Sequence, residues 1–275
     1  MRWEQGRRSS NIEDRRSGGG GGGVRIAGGG GVLLLALLVY LGGGDPTSIL
    51  INATQMNSAP RLSPEQEAQQ KDFVSSVLAN TEDVWGAIYR EQGGSYRAPV
   101  LVLFSGAVES ACGTASAAVG PFYCPVDQKV YLDLSFFHDL ANQLNAPGDF
   151  ARAYVVAHEI GHHVQLLEGT AARVRTEQQR LPESAGRALS VKMELQADCY
   201  AGVWAAHAQA KFDMIEPGDI DEALNAASQI GDDRLQRQSQ GYVVPDAFTH
   251  GSAAQRHDWF ARGFREGKTA ACNTF

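Results

Sequence analysis

His158 and His162 stand four residues apart in Val155-Val156-Ala157-His158-Glu159-Ile160-Gly161-His162-His163-Val164. On a helix that spacing stacks their rings on one face, one turn apart. Two neutral imidazoles so placed can hold Zn²⁺ as neighbouring ligands of a tetrahedral site. Glu159 lies beside the first histidine and can accept a proton from water on the metal. Val155, Val156, Ile160 and Val164 provide the apolar face that would bury such a helix. A second pattern follows in Glu194-Leu195-Gln196-Ala197-Asp198. Glu194 and Asp198 share one helical face in an otherwise apolar stretch that runs on through Tyr200 and Ala201. Glu194 as a third ligand leaves a fourth position open for water, as a catalytic zinc site requires. Asp198 could accept a hydrogen bond from the outer ring nitrogen of a ligand histidine and fix its tautomer.

The elements that must position these residues can be read from caps and periodicity. Ser63-Pro64-Glu65-Gln66 is a helix start, with a serine cap, proline in the first position and Gln at N3. The helix it opens should reach Gly93-Gly94, with a break at Asn80-Thr81, and should bury Trp85, Ile88 and Tyr89. Val100 to Phe104 is a short buried strand. Ala115 to Tyr123 and Lys129 to Leu134 are expected as strands joined through Pro125 to Gln128. A short helix from Phe136 to Leu144 precedes the histidine helix, which Asp149 should cap and which should end near Glu168-Gly169. Residues 170–186 are a polar connection to the Glu194 helix. Further helices are expected from Asp219 to Ile230 and from about Ser252 to Glu266.

The whole chain bounds the reading. Its 275 residues, 43% of them hydrophobic, allow one enzyme-sized domain plus a tail. Residues 1–25 carry six arginines against Glu4, Glu13 and Asp14, a net of +3, so the formal charge of −7 leaves −10 for the rest. That balance argues against a nucleic-acid partner. The glycine run from Gly18 to Gly23 and the Arg- and Ser-rich flank predict a disordered basic segment over 1–25. Residues 26–44 carry no charge and come close to the length of a bilayer crossing. They are expected as an uncleaved signal anchor, with the basic flank in the cytoplasm and the domain outside it, in the periplasm or beyond. A cleaved signal peptide is the alternative. Residues 45–62 form a linker and 63–275 the domain. With the domain outside, Cys112 should pair with Cys124 and Cys199 with Cys272; four reduced thiols are expected if it faces the cytosol.

Longer strings carry a family resemblance. They are Gly120-Pro121-Phe122-Tyr123-Cys124-Pro125, Val130-Tyr131-Leu132-Asp133-Leu134-Ser135-Phe136-Phe137, Ala157 to Gln165 around the histidines, Glu194 to Gly202, Thr249-His250-Gly251-Ser252, and Asn11-Ile12-Glu13-Asp14-Arg15-Arg16 near the start. Together they resemble the bacterial neutral zinc metallopeptidases that carry an N-terminal membrane segment, and the ligand pattern resembles that of the gluzincins. The resemblance implies an α+β zincin-like domain with a small sheet and an active-site helix pair, following a transmembrane segment. It implies Zn²⁺ as cofactor, peptide or protein substrates, the membrane as a partner through the anchor, and cleavage within chains rather than at their ends. It further implies a late histidine that stabilises the oxyanion, for which His250 is the candidate and Tyr242 a weaker one. A substrate-binding edge strand is also implied, for which Val130 to Asp133 is the candidate. His163 points about 100° away from His162 and should be packing or surface. His138, His207 and His257 are expected to be structural. A tethered zinc-binding scaffold without catalysis is the rival, and Glu159 speaks against it.

Overall fold

The computed structural model describes residues 1–16 and 62–275. The expected anchor at 26–44 and nearly all of the linker lie outside the described residues. Among the described residues, no helix is long and apolar enough to cross a membrane.

The fold is α+β, a predominantly helical body against a small sheet. Strand β1 (Ile12–Asp14) precedes the long helix α1 (Pro64–Glu91). Five strands follow: β2 (Val100–Phe104), β3 (Ala107–Ser110), β4 (Gly113–Ser116), β5 (Phe122–Cys124) and β6 (Lys129–Asp133). The helices are then α2 (Phe136–Asn142), α3 (Asp149–Leu167), α4 (Thr170–Gln178), α5 (Glu183–Phe212), α6 (Asp219–Gln229), α7 (Asp232–Gln240) and α8 (Ala253–Glu266). The main sheet has the order β1-β2-β6-β5, with β1, β2 and β6 parallel and β5 antiparallel to β6. β3 and β4 form a separate hairpin.

Helix α1 starts as its cap signals require: Ser63 accepts from the Gln66 amide and Gln66 reaches back to the Ser63 amide. It runs through Asn80-Thr81 without the expected break. The polar side chains there are satisfied in place, Asn80 by the Trp204 indole N–H at 2.8 Å and Thr81 by the Leu78 carbonyl at 2.7 Å. Trp85 and Ile88 are buried and Tyr89 packs against the same core. The expected strand at 115–123 is replaced by β4, a turn of 3₁₀ helix at Ala117–Val119, and β5. Gly120, with φ of +82°, and Pro121 interrupt the extended run. Residues 170–186, expected as a connection, instead carry α4.

Both expected disulfides form, Cys112–Cys124 and Cys199–Cys272. The first ties the β3–β4 turn to β5, and the second ties the C-terminal segment to α5.

Residues 1–16, expected to be disordered, are folded onto the domain. β1 pairs in parallel with β2 from Ile12 opposite Leu101 to Asp14 opposite Leu103. The arginines that suggested a free basic tail meet carboxylates. Arg7 grips Asp83 with Nε 3.0 Å from both oxygens, Arg8 holds Asp72 at 2.6 and 2.7 Å, and Arg16 and Lys71 share Asp14. Trp3 packs edge-on against Phe73. The Met1 ammonium lies 2.9 Å from Asp149 and 3.3 Å from Asp219. Composition counted the charges but not their partners, which lie in α1 and beyond.

This placement corrects the expected topology. An odd number of membrane crossings between residues 16 and 62 would separate β1 from β2, yet the two strands are paired. A cytoplasmic N-terminus on a domain held outside is therefore incompatible with the fold. Single cysteines introduced at exposed Ser10 and exposed Arg180 should react alike with a membrane-impermeant maleimide on intact cells, both labelled or both protected. Labelling of one alone would contradict the shared sheet.

Candidate active site

Helices α3 and α5 bring the histidines and the acids together. Gly161 lies at their crossing, where a Cβ would stand 2.9 Å from the Ala197 carbonyl oxygen. The glycine between Glu159 and His162 thus lets α5 approach closely enough for Glu194 to reach both rings. Asp149, expected to cap helix α3, is instead its first residue. Gly148 occupies the cap position, and Glu222 of α6 accepts the Phe150 amide at 2.9 Å.

His158, His162 and Glu194 each present a ligand atom within 4.8 Å of the others. His158 Nε2 is 3.1 Å from one carboxylate oxygen of Glu194, and His162 Nε2 is 3.4 Å from the other. The outer nitrogens are held from behind. His158 Nδ1–H donates to Asp198 Oδ1 at 2.8 Å, and His162 Nδ1–H donates to Gln165 Oε1 at 2.9 Å. With both Nδ1 atoms used as donors, a metal displacing the Nε2 protons would find both Nε2 lone pairs converging with Glu194 on one point. Two imidazoles and one carboxylate of this kind suit zinc, with three protein donors and no fourth in the cluster among the described residues.

Asp198 is fully buried and carries more than the histidine. Tyr154, one turn before His158, donates its hydroxyl to Asp198 at 2.5 Å. Arg256 of α8 donates from Nε at 2.8 Å and from Nη2 at 3.0 Å. Burial alone would push the Asp198 carboxyl up; Arg256 and His158 outweigh it and hold the group below the usual range. Arg256 reaches this depth because α8 crosses α5 at two glycines. A Cβ on Gly202 would stand 2.1 Å from the Phe260 carbonyl, and one on Gly263 2.0 Å from that of Cys199.

Glu194 follows the same pattern as Asp198: burial raises it, and His162 and His158 pull it well below the ordinary value. Glu159 is buried with no hydrogen-bonded cation among the described residues, and burial raises its carboxyl against the opposing charge of the two histidines. A carboxyl so displaced is closer to the range in which a general base works.

All of these except Asp198 border one cavity of about 650 Å³. Its walls are largely apolar: residues 117–123 on one side, Phe136 and Leu144 from α2 and beyond, Val155, Met193, Ile230 and Leu235 elsewhere. His250 borders it too. Its Nδ1 lies 3.1 Å from Asp232 Oδ1, and that hydrogen bond raises the imidazole above its usual value. Asp232 is itself fixed, its other oxygen accepting the amides of Thr249, His250 and Gly251 at 2.7, 2.6 and 3.0 Å. Tyr242 stands apart at 62% exposure and does not line the cavity.

Val130 to Asp133, the candidate edge, lies in β6, which is paired on both sides. The outer strand beside the cavity is β5, three residues long and missed as a separate element. Also missed were Tyr154, Gln165 and Arg256. The first two stand one turn from a ligand histidine, a spacing that could have singled them out. His163 is not on the surface but fully buried, between Tyr123 and the Arg97 carbonyl. His207 meets the Gly267 carbonyl at 2.9 Å in a structural contact.

Comparison with known proteins adds the family. The profile described as "Putative neutral zinc metallopeptidase" matches residues 1–275. The chain is 49% identical over 285 residues to the uncharacterized protein YpfJ of Escherichia coli strain K12, covering 100% of this chain and 99% of that protein. It is 42% identical over 249 residues to the uncharacterized protein Rv2575 of Mycobacterium tuberculosis strain H37Rv, covering 85% of this chain and 83% of that protein. No solved structure matches the chain.

Proposed function

The chain belongs to the neutral zinc metallopeptidase family, and we propose that it hydrolyses internal peptide bonds of peptide or protein substrates, with zinc held by His158, His162 and Glu194. One observation carries this reading. The three convergent ligand atoms and the base candidate Glu159 open onto the same apolar cavity, and no fourth side chain among the described residues closes them off. A structural zinc site is four-coordinate and closed, while a catalytic one keeps a position free.

Zinc bound there would lower the pKa of a water toward about 7 and polarise the substrate carbonyl. Glu159 takes the proton from the attacking water and delivers it to the leaving amine. Asp198 holds His158 in the ligating tautomer, and Arg256 and Tyr154 hold Asp198. Gln165 does for His162 what Asp198 does for His158. His250, held in place by Asp232, donates to the oxyanion that forms on the carbonyl. The apolar walls favour substrates with bulky apolar side chains near the cleaved bond. An extended peptide would lie along the free edge of β5, adding a strand to the sheet. Membrane association would run through residues 26–44, with the paired strands β1 and β2 on one side. The acidic balance of residues 26–275 gives nucleic acid no footing.

Metal analysis tests the ligand set. Wild-type protein should hold one zinc per chain, and His158→Ala, His162→Ala and Glu194→Ala should each lose it on dialysis. Retention of stoichiometric zinc in any of the three would remove that residue from the set.

A further inference from the structure

His163 is a fully buried imidazole one residue beyond a zinc ligand candidate, and the chemistry described so far leaves it idle. Its Nε2 lies 2.6 Å from the Arg97 carbonyl oxygen and its Nδ1 2.8 Å from the Tyr123 hydroxyl. A carbonyl can only accept, so Nε2 carries the ring proton. Nδ1 then offers a lone pair, and Tyr123 donates to it. Burying an imidazole is costly unless both nitrogens are bonded, and an apolar side chain would pack α3 as well without that cost. What histidine adds is a directional connection of fixed length.

The partner at its far end is informative. Tyr123 is the middle residue of β5, the outermost strand of the main sheet. Side chains alternate along a strand. Phe122 and Cys124 therefore share one face, packed in the small second core, where Phe122 stacks on Tyr131 with centroids 4.8 Å apart. Tyr123 faces the other way, with its ring edge-on to His163 at 5.4 Å. Its hydroxyl hydrogen-bonds the ligand helix, and it does so next to His162. Its neighbours on the strand side, residues 117–122, form one wall of the cavity.

We propose that His163 and Tyr123 are positioning residues whose hydrogen bond sets the free edge of β5 at the distance from α3 where a peptide lying along β5 presents its carbonyl to the metal site. The proposal rests on the peptidase reading above. The bond holds the strand relative to the ligands; it touches neither metal nor substrate.

The test separates peptide placement from metal binding. In zinc-loaded Glu159→Gln protein, whose slowed turnover leaves the peptide intact during a titration, calorimetry gives the affinity of an N-acetylated, C-amidated apolar hexapeptide and, separately, of acetohydroxamate, which needs only the metal. Adding Tyr123→Phe keeps the ring and removes the bond. Peptide affinity should fall about tenfold, with acetohydroxamate affinity unchanged. His163→Asn places an amide oxygen near the Nδ1 position and should keep most of the peptide affinity. His163→Gln can reach the Arg97 carbonyl but not Tyr123, and should lose affinity as Tyr123→Phe does. A merely structural histidine would make affinity follow the melting temperatures of the variants instead. Unchanged peptide affinity in Tyr123→Phe, an equal loss for acetohydroxamate, or equal behaviour of the Asn and Gln variants would each overturn the proposal while leaving the peptidase reading intact. Zinc-loaded parent that binds no apolar peptide would overturn the peptidase reading, and the proposal with it.

Discussion

Glu159→Gln should leave one zinc bound per chain and lower the hydrolytic rate by about 10²–10⁴-fold, the usual contribution of a positioned general base. The reason is the division of labour on α3. His158 and His162 turn their Nε2 atoms toward Glu194, whereas Glu159 is not part of that convergent set. Its amide replacement has the same shape and no basic oxygen, so the ligands keep their geometry. Zinc content and turnover, measured on the same preparation, check both halves. Loss of zinc would place Glu159 among the ligands, and undiminished turnover would remove it from catalysis.

The second large effect is expected at Asp198. Asp198→Asn keeps the volume but removes the charge that three donating partners, His158, Tyr154 and Arg256, share, and it leaves the Arg256 guanidinium buried without its counter-ion. Breaking a buried pair on one side typically costs about 3–5 kcal/mol. The outer nitrogen of His158 loses its carboxylate acceptor in the same step, and loss of such a partner typically weakens metal affinity about 10–100-fold. Chemical denaturation of the metal-free protein reads the first effect, and zinc competition with a chelator reads the second. Both should appear together. A variant as stable as the parent and with unchanged zinc affinity would contradict the account of Asp198 as the link between Arg256 and His158.

The ligand candidates were legible because the signal is local. An i, i+4 pair of histidines, and an i, i+4 pair of acids on an apolar helix, each lie within one turn of backbone, where spacing determines facing. The cap of α1 at Ser63 and that of α8 at Ser252 were legible for the same reason. Arg256 was not. It lies 58 positions from Asp198, and what brings it there is the close crossing of α5 and α8 at Gly202 and Gly263, which no spacing within either helix announces. The edge strand was misassigned because strand order is a property of the sheet. Val130 to Asp133 is a good strand, but β2 and β5 cover both its sides. The N-terminal segment was misjudged on composition, since the acids that neutralise Arg7 and Arg8 come from α1, more than sixty residues away.

The central claim is that the cluster of His158, His162 and Glu194 serves peptide hydrolysis, not a closed zinc scaffold. The most direct measurement incubates the zinc-loaded full-length chain with an unbiased peptide library and reads the new termini by mass spectrometry. The account predicts internal cleavage, concentrated beside bulky apolar residues, that a chelator abolishes and added zinc restores. A chain that holds one zinc in a fully four-coordinate protein site and produces no new termini would contradict it.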